Sequence, residues 1–443
     1  MPRAECGPGS RPETALQGEV TITDRESGRS AQGYWCNLEV VGDYGPADGF
    51  EGAQWQMAWY GHCAYYGTRL HGGQQKRGTI VVNASDPADP RFSTNLTSPA
   101  MLDAWESLEV HADRGLLGGV WGGGANPVPL GWGFFDVYDV AGDCAQPKLL
   151  ASLPVNGLGH EGEWAPDGRT YYATGITPGL VSAIDVSDPT APRPITAFVP
   201  STAVHGLGIS ADGKRLYLAH VNDDYIPAAL ADHPSVTGGN GLGIYDVSEI
   251  AQRKPNPQVK LVGKVTWPDG ATGQHAIPIT SRGTPYVVFV DELGHGGTRI
   301  IDVTDERNPR VVSKLKLEIQ MPENRDLARR EAFTYNNENG GLYPFGYNSH
   351  YCNADRLVDP TILACANQES GLRVFDIRDV RAPREIAYFN PGGNGIRAPG
   401  SWAGTTSGYV GAQPRIIAER SEIWFTDQDR GFHIVRFTNG AWP

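Results

Sequence analysis

Nowhere in the 443 residues is there an apolar run approaching the roughly 20 residues that a membrane helix needs, and nowhere is there a run of Lys and Arg. The first absence argues against helical membrane insertion. The second, with 37 basic against 50 acidic residues and a net charge of −13, leaves no surface to neutralise phosphates, so nucleic acid is not an expected partner. None of the six cysteines forms a C-x-x-C pair, which disfavours a zinc knuckle or a thioredoxin-type site. No Gly-x-Ser-x-Gly elbow, phosphate loop or dinucleotide fingerprint stands between a strand and a helix, which disfavours serine hydrolase, kinase and dehydrogenase chemistry. The first residues, Met1-Pro2-Arg3-Ala4-Glu5-Cys6, carry no apolar signal core. That end is expected of a mature chain whose leader has been cleaved. A cytosolic chain would look the same there, so the cysteines decide.

What the chain has in abundance is Gly (56) and Pro (33), against 40% hydrophobic and 20% charged residues. In a globular composition this means many tight turns and therefore many short strands. Cys6, Cys36, Cys63, Cys144, Cys352 and Cys365 are even in number and lack metal spacing, the pattern of disulfides in an oxidising, secreted or periplasmic compartment. Six buried thiols are the competing reading. The sequons Asn83-Ala84-Ser85 and Asn95-Leu96-Thr97 are compatible with secretion.

One phrase recurs: Gly, alternating apolar residues, a short polar residue, then a turn with Pro. Copies begin at Gly78, Gly133, Gly179, Gly241, Gly297, Gly371 and Gly431, seven in all. The alternation is that of a half-buried strand, and the Asp before the turn (Asp139, Asp185, Asp246, Asp302, Asp376) is placed to accept backbone N–H groups and close it. Hairpins precede the copies, as at Pro166-Asp167-Gly168, and β-rich runs follow them. Four strands per unit, seven times, predict an all-β, seven-bladed β-propeller. The last copy is followed only by Thr438 to Pro443, so its blade lacks an outer strand. The run 36–42 is predicted to supply it beside 431–437, closing the ring. Blades are expected at about 51–98, 99–156, 157–201, 202–270, 271–324, 325–395 and 396–443 plus 33–45, with 1–32 as an N-terminal extension to a propeller of 33–443. Expected disulfides are Cys352–Cys365 within blade six, Cys36–Cys63 and Cys6–Cys144.

The runs Gly179 to Pro192, Gly297 to Pro309 and Gly371 to Pro383 resemble LVIVD repeats, found in secreted bacterial and fungal propellers. The resemblance implies a fold and no particular activity. More loosely, the arrangement is similar to selenium-binding-protein and carotenoid-oxygenase propellers, and that likeness implies metal-binding histidines near the axis.

The innermost strand of each blade lines the central channel, so one shared register forms a ring. His160, His205 and His275 each lie eight residues before the turn glycine of their hairpin, at Gly168, Gly213 and Gly283. Blade six has a longer turn. If Cys352 and Cys365 pair across strands, His350 occupies the same register. The other blades offer about Gln54, Trp105, and Ala412 or Gln413. Four imidazoles against an aromatic or amide wall suit Fe, Cu, Zn, Ni or Mn and leave positions for a substrate. Glu161 and Glu163 beside His160, and Glu106 after Trp105, are candidate orienting groups or a general base. A structural ring donating to neighbouring backbone is the alternative. His220 with Asp223 and Asp224, and Asp291, Glu292 and His295, read as loop or funnel-mouth residues. His62, His71, His111, His233 and His433 fall outside the register. The stretch Trp55 to Tyr60 reads as blade packing, with Trp55 able to face the channel.

The leading functional expectation is a metal-dependent, oxidative enzyme acting on a small organic molecule in the axial pocket. A metal-free cyclase or isomerase of natural-product type (a pericyclase, for example) would use the same pocket with histidines as hydrogen-bond donors. A ligand-binding or cell-surface module would instead carry scattered, solvated histidines and a large apolar patch. The sequence leaves the metal, the substrate and the oligomeric state open.

Overall fold

Each of the seven recurrent phrases becomes the third strand of a small antiparallel sheet, for example Leu180–Asp185 in blade three and Gly297–Asp302 in blade five. The computed structural model describes residues 1–45, 53–69, 78–121, 132–156, 159–175, 179–221, 239–293, 296–332, 346–393, 408–428 and 430–443. Seven such sheets follow one another, each running from an innermost to an outermost strand, as a seven-bladed β-propeller. The turn aspartates act as their positions suggest. Oδ1 of Asp139, Asp185, Asp246, Asp302 and Asp376 accepts the N–H two residues on at 2.9–3.1 Å.

The ring closes as predicted, with the strand two residues further on. Leu38–Tyr44 pairs antiparallel with Gly431–Phe437, from Leu38 opposite Phe437 to Tyr44 opposite Phe432. The shift has a cause. Tyr34–Cys36 belongs to the neighbouring blade, where it pairs with Arg384–Asn390 and makes blade six five-stranded. Asn37 takes a left-handed conformation (φ 57°) between the two short strands, and its amide donates to the carbonyls of Glu5 and Ile386.

The apolar alternation of the strands fills the gaps between blades. Among the described residues, seven of the eight buried clusters each join two consecutive blades. The one that seals the ring places Met57, Tyr66 and Ile80 of blade one against Trp424, Phe432 and Ile434 of blade seven. At about 1.5–3 kcal/mol per large side chain buried, this interface is a main source of closure energy. Ahead of the propeller strands, the chain is tied to blade six by buried ion pairs, Arg25 with Glu369 at 2.9 Å and Glu13 with Arg373, which also pairs with Glu385 of its own blade.

Two of the three expected disulfides are corrected. Cys352–Cys365 is present, its residues directly opposite each other on adjacent strands. The others are Cys6–Cys36 and Cys63–Cys144. Cys36 ends a strand on blade six, away from blade one, and the preceding tail folds back over it through the Arg11–Trp35 bridge, which brings Cys6 to it. Cys63 opens the second strand of blade one and meets the blade-two turn that carries Cys144.

Candidate metal centre

The four histidines sit at the start of the innermost strands of consecutive blades. His160 immediately precedes Glu161–Trp164, His205 and His275 lie near the start of Val204–Ile209 and Thr272–Ser281, and His350 stands two residues before Cys352–Ala354. His205, His275 and His350 are buried, and His160 is partly open. Three of them meet at one carboxylate. Glu106 Oε2 lies 3.2 Å from His160 Nε2 and 3.5 Å from His205 Nε2, and its Oε1 lies 3.1 Å from His350 Nε2. One ligand atom from each of Glu106, His160 and His205 falls within 4.8 Å of the others, close enough to hold a metal ion together. The rings of His160 and His205 are 4.2 Å apart.

His275 is turned differently. Its Nδ1 is 2.5 Å from Glu161 Oε1, whose other oxygen is 3.9 Å from His205 Nδ1. Glu161 Oε1 also accepts the Leu207 N–H at 3.2 Å. The carbonyl of Gly411, in blade seven, is 2.7 Å from His350 Nδ1. For His275 and His350, Nδ1 is hydrogen-bonded to an acceptor, which favours Nε2 as the nitrogen free to bind, while His205 Nδ1 has only the more distant Glu161 carboxylate beside it. The Trp105 indole N–H, at 3.0 Å, and Glu106 Oε2, at 3.2 Å, both face His160 Nε2, which accepts from the first when neutral or donates to the second when protonated.

Trp105 has a left-handed backbone (φ 49°), unusual for so large a residue. It follows the short helical turn Ala100–Asp103, and its indole is stacked on Trp55 with ring centres 5.9 Å apart. Trp55 also lies 5.4 Å from the His350 ring and packs edge-on to Tyr409. Blade one therefore contributes Trp55, where the register count pointed to Gln54, and blade seven contributes the Gly411 carbonyl, one residue before Ala412. The reason is local. The register shifts between Gln54 and Gln56, so Trp55 is passed over in the ladder. Bulges of this kind re-aim side chains. Similar shifts occur between Val204 and Leu207, and between Gly273 and His275.

Those irregularities also bring in residues that simple alternation missed. Gln274 donates to Glu106 Oε2 at 3.0 Å, and the Tyr351 hydroxyl approaches the same oxygen at 3.5 Å. Glu292 bridges His205 Nε2 (3.7 Å) and His350 Nε2 (3.6 Å). Glu163 lies two residues beyond Glu161 on the inner strand, half-buried, and makes no hydrogen bond to the four imidazoles among the described residues. Its burial, only partly offset by the charge of His275 and reinforced by Glu161, pushes it up to about 7, and burial with the charges of Glu163 and Glu161 raises Glu109 as well. Glu106 behaves oppositely. Burial would raise it, but His160, His205 and His350 hold it well below the usual carboxylate range. Against its own burial, His350 is pushed up to about 10 by Glu106 and Glu292, and His275 is raised by Glu161. His160 is lowered, by burial and by His205.

The remaining histidines have local partners. His220 is buried beside the Tyr245 hydroxyl (3.1 Å), His111 beside the Pro166 carbonyl (3.0 Å), and His433 stacks on Phe425. His62, Cys63 and Cys144 have ligand spacing, but the two sulfurs are bonded to each other. His71, His233, His295, Asp223 and Asp224 lie outside the described residues. Asp291 is buried in an ion pair with Arg299.

No protein-family model and no curated protein matches the chain, so the LVIVD resemblance has no such support. Solved structures do match in shape. The periplasmic gluconolactonase of Pseudomonas aeruginosa is 14% identical with a TM-score of 0.57, covering 86% of this chain and 93% of its own. Hydrazine synthase of Kuenenia stuttgartiensis is 11% identical at 0.54, with 90% and 99% covered, and a Lactobacillus plantarum protein is 12% identical at 0.53, with 82% and 88% covered. At these identities the likeness establishes the propeller fold alone.

Proposed function

We propose that the axial cluster is a transition-metal centre and that the protein is an extracytoplasmic enzyme acting on a small organic molecule bound over it. The observation that carries this reading is the convergence of His160, His205 and His350 Nε2 on the Glu106 carboxylate. His160, His205, His350 and Glu106 would hold the ion, with His275 as a fourth imidazole whose Nδ1 is engaged by Glu161. A nitrogen-rich set with one carboxylate suits Fe, Cu, Zn or Mn. When bound, such an ion supplies Lewis-acid or redox chemistry. The chain's own part is orientation. Glu161 and the Gly411 carbonyl fix imidazole tautomers, and the Trp55–Trp105 pair walls one side against water. Three disulfides support the extracytoplasmic setting.

A metal-free reading draws on a different feature of the same site. The Glu106 carboxylate already faces three imidazoles, Gln274 and Tyr351, as a hydrogen-bonding pocket for a cyclase or isomerase would require. The surface-module reading fits less well, since it calls for scattered, solvated histidines and His205, His275 and His350 are buried together. Elemental analysis of tag-free protein decides between the first two. About one transition-metal ion per chain, lost in His205→Ala with the fold retained, supports the metal centre. Metal-free protein that cannot be loaded from any of the four ions overturns it.

A further inference from the structure

The proposed centre draws its residues from around the innermost strands, with one exception. Glu292 is near the end of the second strand of blade five, Thr284–Leu293, yet its carboxylate reaches between His205 of blade four and His350 of blade six. The pairing explains how. Thr272 faces Leu293 and Gly273 faces Asp291, so Glu292 is skipped in the ladder and bulges out of it.

The residue before it is clamped. The buried Asp291 carboxylate accepts the Trp267 indole N–H at 3.0 Å and the Asn240 amide at 2.8 Å, and it pairs with Arg299. The Arg299 guanidinium is fully buried, stacks on Trp267 at 4.3 Å and makes a second ion pair with Asp269 at 2.8 Å. A Cβ at Gly296 would collide with the Asp291 side chain, so the glycine lets the chain close around this knot. A buried carboxylate held by a bidentate-capable arginine and two neutral donors has one available orientation.

We propose that Glu292 is a further metal-facing carboxylate of the axial centre, and that the Asp291–Arg299 knot is the device that holds it there, with Arg299 a positioning residue. This rests on the metal reading above. Two carboxylates and the surrounding imidazoles then enclose the ion from blades two to six, and Glu292 bridges the gap that blade five's inner strand leaves when His275 turns to Glu161.

The test uses full-length, tag-free protein stripped by chelation and reloaded with Co²⁺, read by competition against a chromophoric chelator and by the visible d–d spectrum. Glu292→Gln is expected to weaken Co²⁺ binding about 10–100-fold and to shift the d–d bands. Arg299→Lys should weaken binding in the same direction in the wild-type background, yet change it less than about twofold in the Glu292→Gln background, because its effect runs through Glu292. Asp291→Asn replaces Arg299→Lys in the cycle if the latter fails to fold by thermal melt. Equal Co²⁺ affinity and an unchanged spectrum in Glu292→Gln overturn the inference, and so does an Arg299 effect that is the same in both backgrounds. Wild-type protein that takes up neither Co²⁺ nor any of Fe, Cu, Zn and Mn overturns the metal reading and this inference with it; if only one of those four binds, the same cycle is read with that ion, and a binding wild type matched by Glu292→Gln overturns this inference alone.

Discussion

Replacing Glu161 by Gln is the most informative change away from the proposed ligands, because it alters charge and leaves volume almost untouched. Glu161 is buried, lies 2.5 Å from His275 Nδ1, accepts the Leu207 N–H at 3.2 Å on the same oxygen, and has its second oxygen 3.9 Å from His205 Nδ1. A glutamine there either keeps its oxygen on His275 Nδ1 and the Leu207 N–H without the charge, or turns its NH₂ group toward those two donors. The loss is one charge-assisted hydrogen bond, about 1.5–3 kcal/mol. At 1.4 kcal/mol per factor of ten, that is roughly a 10–150-fold loss in metal affinity if all of it is spent on imidazole orientation. The assay is Zn²⁺ competition against a chelator of known affinity, run beside a thermal melt. A variant that folds and binds Zn²⁺ within about twofold of wild type refutes the argument that Glu161 sets the tautomers. A variant that loses thermal stability without losing affinity makes Glu161 a structural acceptor only.

Two further expectations concern stability. The disulfides close loops of 81, 30 and 13 residues for Cys63–Cys144, Cys6–Cys36 and Cys352–Cys365, which the chain-entropy relation converts to about 4.5, 3.6 and 2.9 kcal/mol. Paired Ser substitutions should therefore lower the melting temperature most for Cys63–Cys144, and a reversed ranking would count against the entropic account. Asp269 faces Arg299, Lys314 and Lys316 at 2.8, 2.9 and 3.4 Å; burial opposes its charge, but these cations hold it down at about 2 from an ordinary 3.8. A depressed carboxylate stabilises fully above its unfolded pKa and loses that contribution as pH falls through its folded one, so the gap in melting temperature between wild type and Asp269→Asn should narrow from pH 4 to pH 2. A gap that stays constant or widens would exclude this linkage.

The fold was legible because its signal is repeated. Seven glycine-led phrases, and a last one short of an outer strand, specify blade number and closure without any single boundary being right. The turn aspartates were legible for the same reason, since each Oδ1 meets its N–H locally. The disulfides depend on where the tail lies across blades, and no periodic signal encodes that. Counting from Gly168, Gly213 and Gly283 placed three histidines, and the Cys352–Cys365 pair supplied the fourth register. What counting could not supply were the residues at interruptions of the count. Trp55, Gln274 and Glu292 each sit at a register shift, where period two fails. Adjacent pairs such as Gln274–His275 and Trp105–Glu106, in which both members reach the cluster, are where the strict alternation breaks in the sequence.

That dependence on irregular backbone bears on why the ring is sealed so heavily. His350 comes from blade six, but its Nδ1 partner, the Gly411 carbonyl, belongs to blade seven, and its Nε2 partner, Glu106, belongs to blade two. Its orientation is therefore set by the spacing of blades that meet near the closure. The segment 34–44 pairs first with the outer strand of blade six and then with that of blade seven, turning between them at Asn37. Cys6–Cys36 fastens the first half of this staple, and the blade seven–one core with Trp424 and Met57 fastens the far side. Imidazoles from blades three, four and six around a blade-two carboxylate tolerate little blade-to-blade movement, because hydrogen bonds weaken over tenths of an ångström. The same N-terminal strand pair occupies the outer edges of blades six and seven, and so ties blade six to the sheet in which the first and last strands of the ring meet.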